Sequence, residues 1–141
     1  MKNMDILLDS NIILDWLQQR EPFYQNARKI VESCMFGNLA GFVTSHSLCD
    51  MYYILRKDFS LEQRLNFIRL ISERCTVITE NANDFIAVTN NPVTKDLEDG
   101  LQMQCAAQNE LNYIVTRNIK DFTDSSVPAI MPEDFIAMLG L

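Results

Sequence analysis

The sequence predicts an α/β fold: a three-layer α/β/α sandwich around a central parallel sheet of four to five strands. Three observations lead there. Short aliphatic and β-branched runs alternate with longer stretches of helical spacing along the whole chain, the pattern of strand–helix–strand units whose sheet is covered on both faces. Acids recur where an apolar run stops or a helix starts, at Asp9, Asp50, Asp96, Asp99 and Asp121, which in an open α/β sheet is the rim where ligands bind. The chain has 141 residues, 48% apolar and 22% charged, a size and composition suited to one globular domain over residues 1–141 with a sizeable core.

The elements follow in order. Ile6, Leu7 and Leu8 read as a buried strand that delivers Asp9, and residues 10–20 as a short helix with Ser10 or Asn11 near its cap and Asp15 inside it. Residues 21–39 carry Pro22 near their start, a helical stripe of Phe23, Ala27, Ile30, Val31, Cys34 and Met35, and a stop at Gly37. Residues 40–45 form the second strand and feed directly into a helix over 46–57, with Asp50 on its first turns. Residues 60–74 open with Ser60 and Gln63, a capping-box arrangement, and make an amphipathic helix. A third strand (75–79), a short helix (81–91) ended by Pro92, and a helix within 94–111 capped by Asp96 come next. Residues 112–118 are the fourth strand, residues 119–122 a loop, and residues 127–141 a short edge strand followed by a proline-initiated helix.

Composition excludes several classes of function. The apolar runs are too short and interrupted to span a bilayer, and the first ten residues lack the pattern of a secretory signal, so the expected location is the cytoplasm. Cys34, Cys49, Cys75 and Cys105 have no Cys-x-x-Cys pairing and His46 is the only histidine, so zinc is disfavoured and the thiols read as buried and reduced. A net charge of −7 argues against a general basic nucleic-acid surface. It leaves room for a nuclease, because a cluster of carboxylates neutralised by metal is itself acidic.

The acids have competing readings. Asp9 after a buried strand is either a helix cap or a group that needs a cation, since a lone buried carboxylate is costly. Asp50, Asp96, Glu98 and Asp99 all lie in first turns, where the macrodipole favours them anyway. Asp96 and Asp99 are three apart and share a face, with Asp99 the inward candidate and Asp96 the cap or support. Beyond the fourth strand stand Thr116, Arg117, Asn118 and Asp121; the Asn118 amide oxygen could coordinate magnesium or fix a water. Tyr52 and Tyr53 read as core packing before stacking faces. A receiver-type phosphoacceptor wants adjacent acids after the first strand, and an aspartate-nucleophile phosphatase wants acid-x-acid; Asp9-Ser10-Asn11 offers neither.

The segments LLDSNIILD, TSHSLCDMYYILRK and DLEDGLQMQCAAQNELNYIVTRNIKDF, in this order and spacing, resemble the PIN-domain family, and within it the bacterial VapC-type toxin ribonucleases, over nearly the whole chain. The resemblance implies a metal-dependent endoribonuclease and a toxin–antitoxin context. Its first three acids match Asp9, Asp50 and Asp99, and the fourth acid or its substitute falls at Asn118 or Asp121. Asp50 stands where glutamate is usual, and Asn118 where many relatives have aspartate. The expected metal ligands are Asp9, Asp50, Asp99 and Asp96, holding Mg²⁺ or Mn²⁺. The expected substrate contacts are Asn11, Thr116, Arg117 and Lys120, joined by Arg56 and Lys57. The expected partners are RNA, an antitoxin and a second copy of the chain, residues 60–74 being one surface for the last. The alternative is a catalytically weakened module of the same fold acting through protein or RNA binding.

Overall fold

The computed structural model describes residues 4–141. Five parallel strands form one sheet in the order β3-β2-β1-β4-β5: β1 (Asp5–Leu8), β2 (Ala40–Thr44), β3 (Thr76–Ile78), β4 (Tyr113–Val115) and β5 (Ala129–Ile130). Seven α-helices are present among the described residues: α1 (Ser10–Leu17), α2 (Tyr24–Met35), α3 (Ser45–Ile54), α4 (Leu61–Arg74), α5 (Ala82–Asn90), α6 (Leu97–Gln108) and α7 (Pro132–Leu139).

Alternation along each strand sends side chains to two separate cores. Ile6, Leu8, Val43 and Val115 pack with α1, α2, α3 and α7, through Ile12, Ile30, Val31, Met51 and Phe135. Leu7, Ile78 and Ile114 pack on the other face with Cys105, Ala106 and Phe122, under α6 and a 3₁₀ turn at Ile119–Phe122. Both faces of β1 are therefore buried, which is why its sequence shows no alternation. The three-layer sandwich is as expected.

Helix ends follow their caps. Ser60 accepts from the Gln63 amide while the Gln63 side chain accepts from the Ser60 amide, so α4 starts where its capping box stands. Asn81 and Asp84 make a second reciprocal box at α5. The helix expected over 46–57 divides: α3 ends at Ile54 and residues Leu55–Lys57 tighten into a 3₁₀ turn. Three cysteines are buried as expected, but Cys49 is exposed on α3. No helix among the described residues is long and apolar enough to cross a membrane.

Candidate metal centre

β1 and β4 pair in parallel with Leu8 opposite Val115, so the residues that follow them, Asp9 and Thr116, emerge side by side at the carboxyl end of the sheet. Asp9 is both the cap of α1 and a buried acid. Its Oδ1 accepts from the Ser10 amide at 2.8 Å and from Gln102 Nε2 at 3.0 Å; its Oδ2 accepts from Thr116 Oγ1 at 2.7 Å and from Asn11 Nδ2 at 3.2 Å. Four neutral donors hold the carboxylate in one orientation and leave its charge uncancelled. Thr116 in turn accepts from the Asn118 amide at 2.9 Å, tying the loop after β4 to the same acid.

Asp96 caps α6 by accepting from the Asp99 amide at 2.9 Å, and Gln102 of the same helix ties it to Asp9. Burial, then the charges of Asp96, Asp121, Asp9 and Glu98, push the Asp99 carboxyl up to about 6. Asp9, Asp96, Asp99 and Asp121 thus share one electrostatic neighbourhood although they come from opposite ends of the chain. Asp50 joins it from α3 through Glu98, whose carboxyl is raised by burial and then by the charge of Asp50 and a hydrogen bond with it. Asp50 and Asp9 follow adjacent strands, β2 and β1.

An open depression of about 220 Å³ runs beside these acids, lined in part by Asp96, Asp99 and Asp121 together with Lys95 and Lys120. Asn118 and Asp121 are exposed on the loop after β4. Arg117, expected against phosphate, is committed elsewhere: its Nε and Nη2 donate to Asp15 at 2.6 and 3.1 Å, and its guanidinium lies 3.9 Å from the centre of the Phe23 ring. Asn11 and Thr116, also expected at substrate, donate to Asp9. Tyr53 is exposed with Arg56 over its ring, and Arg64 lies over the ring of half-buried Tyr52, so core packing is overturned for Tyr53.

Two residues that hold the rim were not anticipated from sequence. Gln102 lies one turn into α6 among core positions, where a buried amide has no distinguishing spacing. Asp15, fully buried, is matched by Arg117 and by Arg20 at 3.6 Å; an acid in the apolar stripe of α1 was the available signal.

Among the described residues no group of three acid, histidine or cysteine side chains is already gathered to hold a metal ion. The donor chemistry still fits a hard divalent cation. Among the described residues Asp9, Asp50, Asp96, Asp99 and Asp121 take part in no ion pair, and like charges without a counter-ion stay apart. Two buried amide oxygens beside Asp9, Asn11 Oδ1 and Gln102 Oε1, have no hydrogen-bond partner, an arrangement that calls for a donor such as coordinated water.

A family model described as PIN domain matches residues 5–120. No curated protein matches the sequence significantly. Solved structures of similar fold include a toxin–antitoxin complex from Klebsiella pneumoniae, 18% identical with a TM-score of 0.67 over 91% of this chain and 98% of that one. Another is VapBC2 from Rickettsia felis bound to a DNA fragment from its promoter, 19% identical with a TM-score of 0.65 over 91% and 98%. A third is VapC20 of Mycobacterium tuberculosis, a toxin that cleaves the sarcin–ricin loop, 8% identical with a TM-score of 0.61 over 78% and 87%. At these identities the likeness is one of fold.

Proposed function

Since this chain belongs to the PIN-domain family, we propose that it is a Mg²⁺- or Mn²⁺-dependent endoribonuclease, acting as one domain and as the toxin of a toxin–antitoxin pair. What supports the reading is the set of acids that act on Asp99, whose carboxyl is pushed up to about 6 by burial and then by the charges of Asp96, Asp121, Asp9 and Glu98. Such crowding is unfavourable until a cation joins it.

Asp9, Asp99 and Asp50 would hold the cation, with Asp96, Asp121 or the Asn118 amide completing an oxygen shell. A divalent ion here supplies acidification of water and compensation of the charge that develops on the leaving oxygen. Thr116, Gln102 and Asn11 fix the orientation of Asp9, the supporting role that outer residues play for any ligating carboxylate. Lys120 and Lys95, beside the acids in the open depression, would neutralise phosphates of a single-stranded substrate. Arg117 orders the start of the loop through Asp15, leaving phosphate contact to the lysines.

The partner readings rest on separate support. The Klebsiella and Rickettsia structures are toxin–antitoxin assemblies, which supports an antitoxin here. The amphipathic α4 exposes Leu61 and Leu65, one turn apart on one side of the helix, which supports self-association.

Cleavage of single-stranded RNA oligonucleotides in Mg²⁺ or Mn²⁺ tests the function. The parent protein cleaves, chelation stops it, and Asp9→Asn and Asp99→Asn each abolish it while staying folded. Full activity in either variant contradicts its role as ligand. The second reading, a weakened module, is favoured by the exposed Asn118 in place of an acid; RNA bound but uncut by the parent protein in either metal would establish it.

A further inference from the structure

The sole histidine stands on the same rim, outside the acid set. His46 is the second residue of α3, four before Asp50. Its Nδ1 is hydrogen-bonded to Glu80 Oε1, and Ser45 Oγ donates to Glu80 Oε2 at 2.5 Å. The Glu80 side chain is only 5% exposed, against 21% for His46. Burial works against ionisation of Glu80, but the hydrogen bonds from Ser45 and His46 outweigh it and hold the carboxyl below its ordinary value.

A carboxylate only accepts, so Nδ1 carries the proton that bonds Glu80; in that tautomer the opposite ring nitrogen, Nε2, is the acceptor. Among the described residues Nε2 has no hydrogen-bond partner. The imidazole lies near the start of α6, close enough to influence Glu98, the neighbour of Asp50. A serine-nucleophile arrangement is ruled out, because Ser45 bonds Glu80 and not the imidazole.

An oriented acceptor beside an acid site for an anionic strand is an unusual provision. Phosphate oxygens only accept and cannot use it. The ribose 2′-hydroxyl is the donor that RNA has and DNA lacks at every nucleotide. We propose that His46, fixed by Glu80 and Ser45, accepts a hydrogen bond from a 2′-hydroxyl of the bound strand through Nε2 and thereby makes the site selective for RNA. The inference rests on the nuclease reading and names the group by which that site recognises ribose.

The test uses a single-stranded RNA oligonucleotide that the full-length protein cleaves, and a series of the same oligonucleotide with one ribose at a time replaced by 2′-deoxyribose. For the parent protein, one replacement near the cleaved bond lowers kcat/KM about tenfold, the scale of leaving a built acceptor without its donor. His46→Asn keeps a donor toward Glu80 but lacks the Nε2 acceptor; it loses rate on RNA and cleaves the parent and that deoxy oligonucleotide alike. His46→Gln, whose amide oxygen reaches the Nε2 position, recovers part of the discrimination. Thermal unfolding of each variant separates this from a folding defect. Equal deoxy penalties in the parent and His46→Asn, or no penalty at any position in the parent, overturn the inference while the nuclease reading stands. A loss in His46→Asn with the sugar penalty unchanged overturns it in favour of a phosphate contact. Absence of any metal-dependent cleavage by the parent overturns the nuclease reading and this inference with it.

Discussion

Asp99 carries a cost in the absence of metal. Its folded value of about 6 lies above its ordinary 3.8, so the folded state binds the proton more tightly than the unfolded one does. Its contribution to stability is therefore largest below about pH 4, declines as pH rises through the interval up to 6, and is lowest at neutral pH. Asp99→Asn removes this penalty. The metal-free variant is expected to unfold at higher temperature than the parent at pH 7.5, with the difference shrinking toward pH 4, as read by calorimetry in chelator. Glu98 is raised as well and Glu80 lowered, so the parent–variant difference reads Asp99 together with its coupling to the neighbouring acids. A variant no more stable than the parent at pH 7.5 contradicts the burial and charge crowding that raise Asp99. At this scale the sequence exposed acids and hid their partners. Asp9, Asp50 and Asp99 stood at strand ends and helix starts, where spacing marks them. Gln102 and Asp15 lay inside helices, where only the fold reveals that one bonds Asp9 and the other accepts from Arg117.

Helix α6 places the Asp99 side of the site, and its seating depends on Gly100. A Cβ built on Gly100 would come 2.5 Å from Val88 Cγ1 of α5, closer than two carbons can sit. The small residue lets the first turn of α6 lie against α5, one position from the acid. Gly100→Ala gains intrinsic helix propensity of about 1 kcal/mol but incurs overpacking of about 1–3 kcal/mol, so a net loss of stability is expected in urea unfolding. Val88→Ala added to it should restore part of the loss, because neighbouring sites do not add independently. A Gly100→Ala protein more stable than the parent contradicts this seating. The helices were legible where caps and stripes agreed, as at Ser60 and Gln63 for α4. The split of the 46–57 segment was not, because Leu55 is buried and keeps the stripe intact while the backbone tightens to a 3₁₀ turn.

Over the whole molecule, strand order converts sequence distance into proximity. β1 lies between β2 and β4, so the acids that follow β1 and β2 and the loop that follows β4 meet at one rim, and α6 returns across it. Alternating strands and helices foretold a parallel sheet; the insertion of β1 beside β4 depends on packing between segments more than a hundred residues apart, which periodicity does not encode. The central claim is that this topology gathers carboxylates into a cation site. Calorimetric titration of the metal-free protein with Mn²⁺ tests it most directly. The account predicts saturable binding by the parent that is lost in both Asp9→Asn and Asp99→Asn; no binding by the parent, or equal binding by all three proteins, would contradict it.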